Sequence, residues 1–178
     1  MKKFLLILSL SLTQILSALI VDSDLMSQSK NKLKKIHKNI RLIYGSRYEE
    51  YQEQLMTVMH LPSDAKVLEL GGNFGRNSCV IASILNNQEN LVTLESFPES
   101  AKKLQKNRDH NKLQFHVEEA ALSRTPLIQK GWNTIPSEEI LPGYSRVNTI
   151  TFEELQAKYD IVFDTIIADC EGALYCIL

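Results

Sequence analysis

Val67-Leu68-Glu69-Leu70-Gly71-Gly72-Asn73-Phe74-Gly75 is the stretch on which the fold turns. Val67, Leu68 and Leu70 form the short apolar run of a strand buried on both faces, as strands of parallel sheets are. Gly71, Gly72 and Gly75 follow at once. Having no Cβ, they permit a tight turn and let a ligand come close to the backbone. A helix is expected over residues 76–85. Its first turn would present unpaired N–H groups and the positive end of the helix dipole to whatever rests on the turn.

The glycine spacing narrows the ligand. A dinucleotide fingerprint reads G-x-G-x-x-G, whereas these glycines fall as G-G-x-x-G. Glu69 stands just ahead of the first of them. A carboxylate there repels a pyrophosphate and favours a ligand with an amine or a sulfonium charge. S-adenosylmethionine carries both.

Downstream, Leu91-Val92-Thr93-Leu94 reads as a second buried strand closed by Glu95. Strand, helix and strand over this length make a βαβ unit, so the two strands run parallel. An acidic residue at that strand end can accept from both the 2′ and 3′ hydroxyls of a ribose. The plain alternative is a surface glutamate, and the interval from the glycine turn favours the ribose. Residues 97–108 form a helix opened by Pro98, and residues 113–117 alternate like a third strand. Glu118 and Glu119 then border the position where an adenine amine would lie. Residues 123–145, which include Trp132, read as a lid, a substrate wall or a small β excursion at the sheet edge. Residues 147–151 form a short strand, and Thr151 opens a capped helix over residues 152–158. A fourth sheet strand spans residues 163–169, giving the order 3-2-1-4. Ligands collect at the carboxyl ends of such strands, so Asp169 and Glu171 share an edge with Gly71 and Glu95.

Upstream, residues 1–21 have the order of a secretory signal peptide: Lys2 and Lys3, an apolar run, then small Ser17 and Ala18. Residues 4–21 are also long enough for a short membrane anchor, and a buried N-terminal helix is the third reading. The expected location is the secretory pathway, secreted or membrane-anchored. Residues 22–60 form a helical N-terminal region. Leu33, Ile36, Ile40 and Ile43 recur at helical spacing among lysines, as in a helix that lies on an anionic membrane or one that covers an edge of the domain. A second helix is expected over residues 45–60, with Tyr48, Tyr51, Leu55 and Val58 on one side and Glu49, Glu50 and Glu53 on the other. The remaining residues, 61–178, make one α/β domain, a Rossmann-like, mostly parallel sheet.

Composition excludes several classes. The 178 residues are 44% hydrophobic with a net charge of −1, which fits a folded domain and gives no basic excess for nucleic acid. Three cysteines cannot make a disulfide framework, and the four histidines are scattered, so no metal site is expected.

Together these stretches resemble class I S-adenosylmethionine-dependent methyltransferases, and within them the FkbM family. The resemblance runs from about Ser63 onward. It rests on Leu68-Glu69-Leu70-Gly71-Gly72-Asn73-Phe74-Gly75, on Leu94-Glu95-Ser96-Phe97-Pro98, on Ala120-Ala121-Leu122-Ser123, and on residues 147–155 leading to Ile167-Ala168-Asp169-Cys170-Glu171-Gly172-Ala173. The last is similar to the family's Asp-x-Glu-Gly-Ala-Glu signature, with Leu174 where the family carries an acid. The resemblance implies a domain truncated at its C-terminus. A sheet edge would then be left open, for an oligomer to cover. It implies methyl transfer from S-adenosylmethionine to an oxygen of a small-molecule or glycan-like acceptor, by in-line displacement at the sulfonium methyl. Glu69, Gly71, Asn73, Gly75 and Glu95 would bind the cofactor. Asp169 and Glu171 would position the acceptor or act as base, or simply cap the strand end. Two rival readings stand beside this one. One is a non-catalytic methyltransferase-like domain, secreted or tethered. The other is a nucleotide-binding oxidoreductase, against which the glycine spacing and Glu69 both speak.

Overall fold

The computed structural model describes residues 12–131 and 133–169, with side chains from residue 23 onward. Helices α1 (Leu12–Asn39) and α2 (Tyr51–His60) precede β1 (Val67–Leu70), and α3 (Arg76–Ile84) leads from it to β2 (Leu91–Leu94). Helix α4 (Pro98–His110) leads on to β3 (His116–Glu118). Short strands follow: β4 (Ala121–Leu122), β5 (Leu127–Lys130), β6 (Asn133–Pro136), β7 (Ser145–Val147) and β8 (Thr149–Ile150). Helix α5 (Phe152–Tyr159) and β9 (Thr165–Ala168) end the described chain.

The main sheet is wholly parallel and has the order β3-β2-β1-β9, the Rossmann-like arrangement expected from the buried runs. Leu70 lies opposite both Leu94 and Ala168. The next residue on each strand, Gly71, Glu95 and Asp169, therefore falls on one edge.

Strand side chains alternate between faces. Val67 joins the cluster of Leu33, Ile36, Leu55, Val80, Ile81 and Leu91, against α1, α2 and α3. Leu68 and Leu70 join Val92, Leu94, Leu122, Leu155 and Ile161 on the other face, against α5. Being buried on both sides, β1 has no polar face, which is why its sequence does not alternate.

Helix α1 runs unbroken past residue 21, the expected end of the targeting segment. Its lysines are exposed while Leu33 and Ile36 are buried, as in a helix covering an edge of the domain. Among the described residues no helix is long and apolar enough to cross a membrane. The expected helix over residues 45–60 begins only at Tyr51. Gly45 (φ 76°) and Glu50 (φ 57°) are left-handed, and a right-handed helix cannot continue through them. Residues 45–50 instead form a strap across the start of α3. Residues 123–145 contain the β excursion: β5 pairs antiparallel with β6 and β7. The strand expected at 147–151 divides between β7 and β8, which belong to different sheets.

Candidate functional site

The site is built on the turn from β1 to α3. Gly71 (φ 86°) and Gly75 (φ 81°) are left-handed, as is Asn73 (φ 47°). Gly72 is needed for another reason: a Cβ there would run into Thr93 Cγ2 and Leu104 Cδ1. The glycine lets the turn sit directly on β2 and α4. Gly71 N–H and Gly72 N–H both donate to Leu94 O, at 3.0 Å each, fixing the turn against the second strand.

Two carboxylates flank the turn in different ways. Strand alternation sends Glu69 to the Val67 face, beneath α3, where it is 3% exposed. Its Oε1 accepts from Asn77 Nδ2 (3.3 Å) and its Oε2 from Thr93 Oγ1 (2.8 Å). Burial is the main reason its pKa is pushed up from 4.5 to about 7. Glu95 stays above the strand end. Its Oε2 accepts from Asn73 N–H (2.7 Å) and its Oε1 from Phe97 N–H (2.8 Å). Burial raises its pKa, and these two N–H groups partly offset that.

An open cavity of about 410 Å³ adjoins the turn, between α2 and β9. Glu50, Glu53, Glu69, Gly71, Asn77 and Asp169 are among its lining residues, with Met56, Ile166 and Ile167 as apolar wall. The structure thus brings Glu69, Gly71 and Asp169 to one cavity, with Asn73 and Gly75 on the adjoining turn and Glu95 at the end of β2 beside it. Glu171 lies outside the described residues. Glu118 is committed elsewhere, accepting from Lys158 Nζ (2.6 Å) and Tyr159 Oη (2.7 Å). Among the described residues no group of acids, histidines and cysteines could hold a metal.

Three residues at the site carried no sequence signal. Asn107 is fully buried in α4; its Oδ1 accepts from Ile43 and Tyr44 N–H, and its Nδ2 donates to Tyr44 O and Phe74 O. It thereby ties the strap to the glycine turn. Arg76, 8% exposed, pairs with Glu49 and Glu50 and lies 4.9 Å from the Phe74 ring centre. Glu50 Oε1 accepts from Arg76 Nη1 (2.7 Å) and from Asn73 Nδ2 (3.2 Å). Partners 23 to 26 residues apart, from a polar helix face and a turn, leave no local pattern to read.

A ligand with an amine and a ribose suits this donor set. Glu95 can accept from hydroxyls. Asn73 Oδ1 is buried and, among the described residues, has no hydrogen-bond partner, so it can take a donor from a ligand. The close seating of Gly72 leaves the turn backbone uncovered by a side chain of its own.

No protein-family model and no curated protein matches the chain. Solved structures similar to it include an O-methyltransferase from Bacillus cereus in complex with SAH, at 18% identity and TM-score 0.40, covering 82% of this chain and 61% of that one. Another is a Klebsiella pneumoniae protein assigned as an O-methyltransferase, at 16% identity and TM-score 0.35, covering 53% and 42%. The chain therefore spans less than two thirds of the length of either. At such identities and TM-scores neither likeness carries a function across to this chain.

Proposed function

We propose that this chain binds S-adenosylmethionine on the β1–α3 turn and is a methyltransferase acting on an oxygen of a small-molecule or glycan-like acceptor. The finer assignment, to the FkbM family, rests on the sequence stretches quoted above. One observation carries the reading. Gly71, Glu95 and Asp169 follow three register-aligned residues of adjacent parallel strands, so a bend that opens with two glycines lies between two acids on one sheet edge.

The bound cofactor would supply an electrophilic methyl group on a sulfonium. The chain's own residues provide position and charge. Glu95 would accept from the ribose hydroxyls while its hydrogen bond to Asn73 N–H keeps the turn in shape. Gly71 and Gly75 hold the left-handed turn. Asp169 would orient the acceptor hydroxyl or take its proton at the cavity mouth. Effective methyl transfer needs mainly such positioning, and a base only when the acceptor hydroxyl is weakly acidic.

Calorimetric titration of the full chain with S-adenosylmethionine tests the reading. Wild type is expected to bind. Glu95→Ala should weaken binding about tenfold or more through lost charge-assisted hydrogen bonds. Gly71→Val, which places a β-branched residue at positive φ on the turn, should abolish it. Absence of binding by a chain shown by circular dichroism to be folded overturns the reading.

A further inference from the structure

We infer that Glu50 receives the ammonium group of the ligand's amino-acid end, as a binding residue on the strap rather than on the sheet. The inference rests on the S-adenosylmethionine reading above.

Glu50 is held where it is by contacts far along the chain. Its backbone is left-handed (φ 57°, ψ 31°), and its side chain makes no cap to α2. A non-glycine residue in that region is strained, and the surroundings must hold it there. They do so through its carboxylate, whose Oε1 takes one hydrogen bond from Arg76 and one from Asn73 of the glycine turn. The same residue lines the cavity beside Gly71, Glu69 and Asp169.

The cavity is short of positive charge. Glu50, Glu53, Glu69 and Asp169 line it, and no lysine or arginine does so among the described residues. Arg76 is the nearby cation, and Glu49 and Glu50 share it. Burial raises the pKa of Glu50, and the charge of Asp169 raises it further, against the opposing pull of Arg76. An added cation would relieve that repulsion.

The other acids at the turn are less suited to the task. Both oxygens of Glu69 are engaged beneath α3, and Glu95, which holds the N–H groups of Asn73 and Phe97, is not among the residues lining the cavity. Glu50 makes both of its hydrogen bonds through Oε1, among the described residues, which leaves Oε2 to a new donor. Asn73, already bonded to Glu50, offers its unpartnered Oδ1 alongside. An ammonium has three donors. Glu50 Oε2 and Asn73 Oδ1 would take two of them.

The test measures three probes against wild type, Glu50→Gln and Glu49→Gln in the full chain. S-adenosylmethionine carries ammonium and sulfonium, S-adenosylhomocysteine carries the ammonium alone, and 5′-methylthioadenosine carries neither. Glu50→Gln should weaken the first two about tenfold and leave the third within about twofold. Glu49→Gln, which also loosens Arg76 but does not line the cavity, should leave all three unchanged. Equal losses for all three probes in Glu50→Gln would make Glu50 a purely structural residue and overturn the inference. A loss confined to S-adenosylmethionine would assign it to the sulfonium and overturn the inference too. If wild type binds none of the probes, the cofactor reading itself fails, and the inference with it.

Discussion

Gly72→Ala isolates the close seating of the turn on the sheet. Gly72 does not have a positive φ, so alanine meets no backbone strain there. The effect is purely one of space. The new Cβ would fall far inside van der Waals contact distance of Thr93 Cγ2 and 2.5 Å from Leu104 Cδ1. Thr93 and Leu104 are both fully buried, and neither has room to retreat. Thr93 is also pinned by the hydrogen bond from its Oγ1 to Glu69 Oε2, so rotating its methyl away breaks that bond. Overpacking contributes roughly 1–3 kcal/mol and the lost bond to a buried carboxylate adds roughly 1 kcal/mol or more. Together they should destabilise the fold by about 2–4 kcal/mol. Urea unfolding followed by far-UV circular dichroism measures this, with an unchanged m-value showing that the two states are still the same. Thr93→Ser removes Cγ2 while keeping the hydroxyl on Glu69, so in the double variant it should restore roughly half the loss, the remainder lying with Leu104. A Gly72→Ala protein within roughly 0.5 kcal/mol of wild type, or a double variant no better than the single one, would refute the seating of the turn on β2.

Two further outcomes are expected. Burial pushes the Glu69 pKa up from 4.5 to about 7, so the folded state holds this proton more tightly than the unfolded chain. The resulting stability is fully present below about pH 4.5 and is lost as pH rises through about 7, a change on the order of 3 kcal/mol. Urea melts at pH 5 and pH 8 should show this loss in wild type and much less of it in Glu69→Gln; parallel pH dependence would refute it. Asn107→Ala leaves the N–H groups of Ile43 and Tyr44 and the carbonyls of Tyr44 and Phe74 without the partner they now have. It should destabilise the chain by about 3 kcal/mol or more in the same assay, and a loss below about 1 kcal/mol would mean that the strap is not held there.

The sheet was legible because each of its strands announces itself locally. Val67-Leu68-Glu69-Leu70 and Leu91-Val92-Thr93-Leu94 are short, apolar and bounded by turn residues, and the helix between them forces them parallel. The alternation that marks the third strand starts at Leu113, three residues before its hydrogen bonding to β2 starts at His116. The helix over residues 45–60 misled for a related reason. Tyr51, Leu55 and Val58 do mark a helical face, but the pattern gives no warning that Glu50 is left-handed. What reversed that residue is its pairing with Asn73 and Arg76, a tertiary effect that local propensity cannot carry.

The two carboxylates singled out by the sequence show why motif and chemistry separate. Strand period alone places Glu69 on the face of Val67, and Val67 faces α3, so Glu69 had to be covered once the helix packed down. Its role at the turn is then to receive Thr93 and Asn77, fastening β2 and α3 to β1 from beneath. Glu95 ends its strand just beyond Leu94, the residue paired with Leu70, so it clears the sheet and reaches the turn from above. A residue whose two oxygens are both held by side chains of the packed elements is poorly placed to exchange those partners for a ligand's. Glu95, buried at the strand end and bonded to two backbone N–H groups, keeps further acceptor capacity on both oxygens. On this reasoning Glu69→Gln should change the stability of the chain and its pH dependence far more than ligand affinity, whereas Glu95→Ala, which frees the N–H groups of Asn73 and Phe97, should lower both stability and affinity.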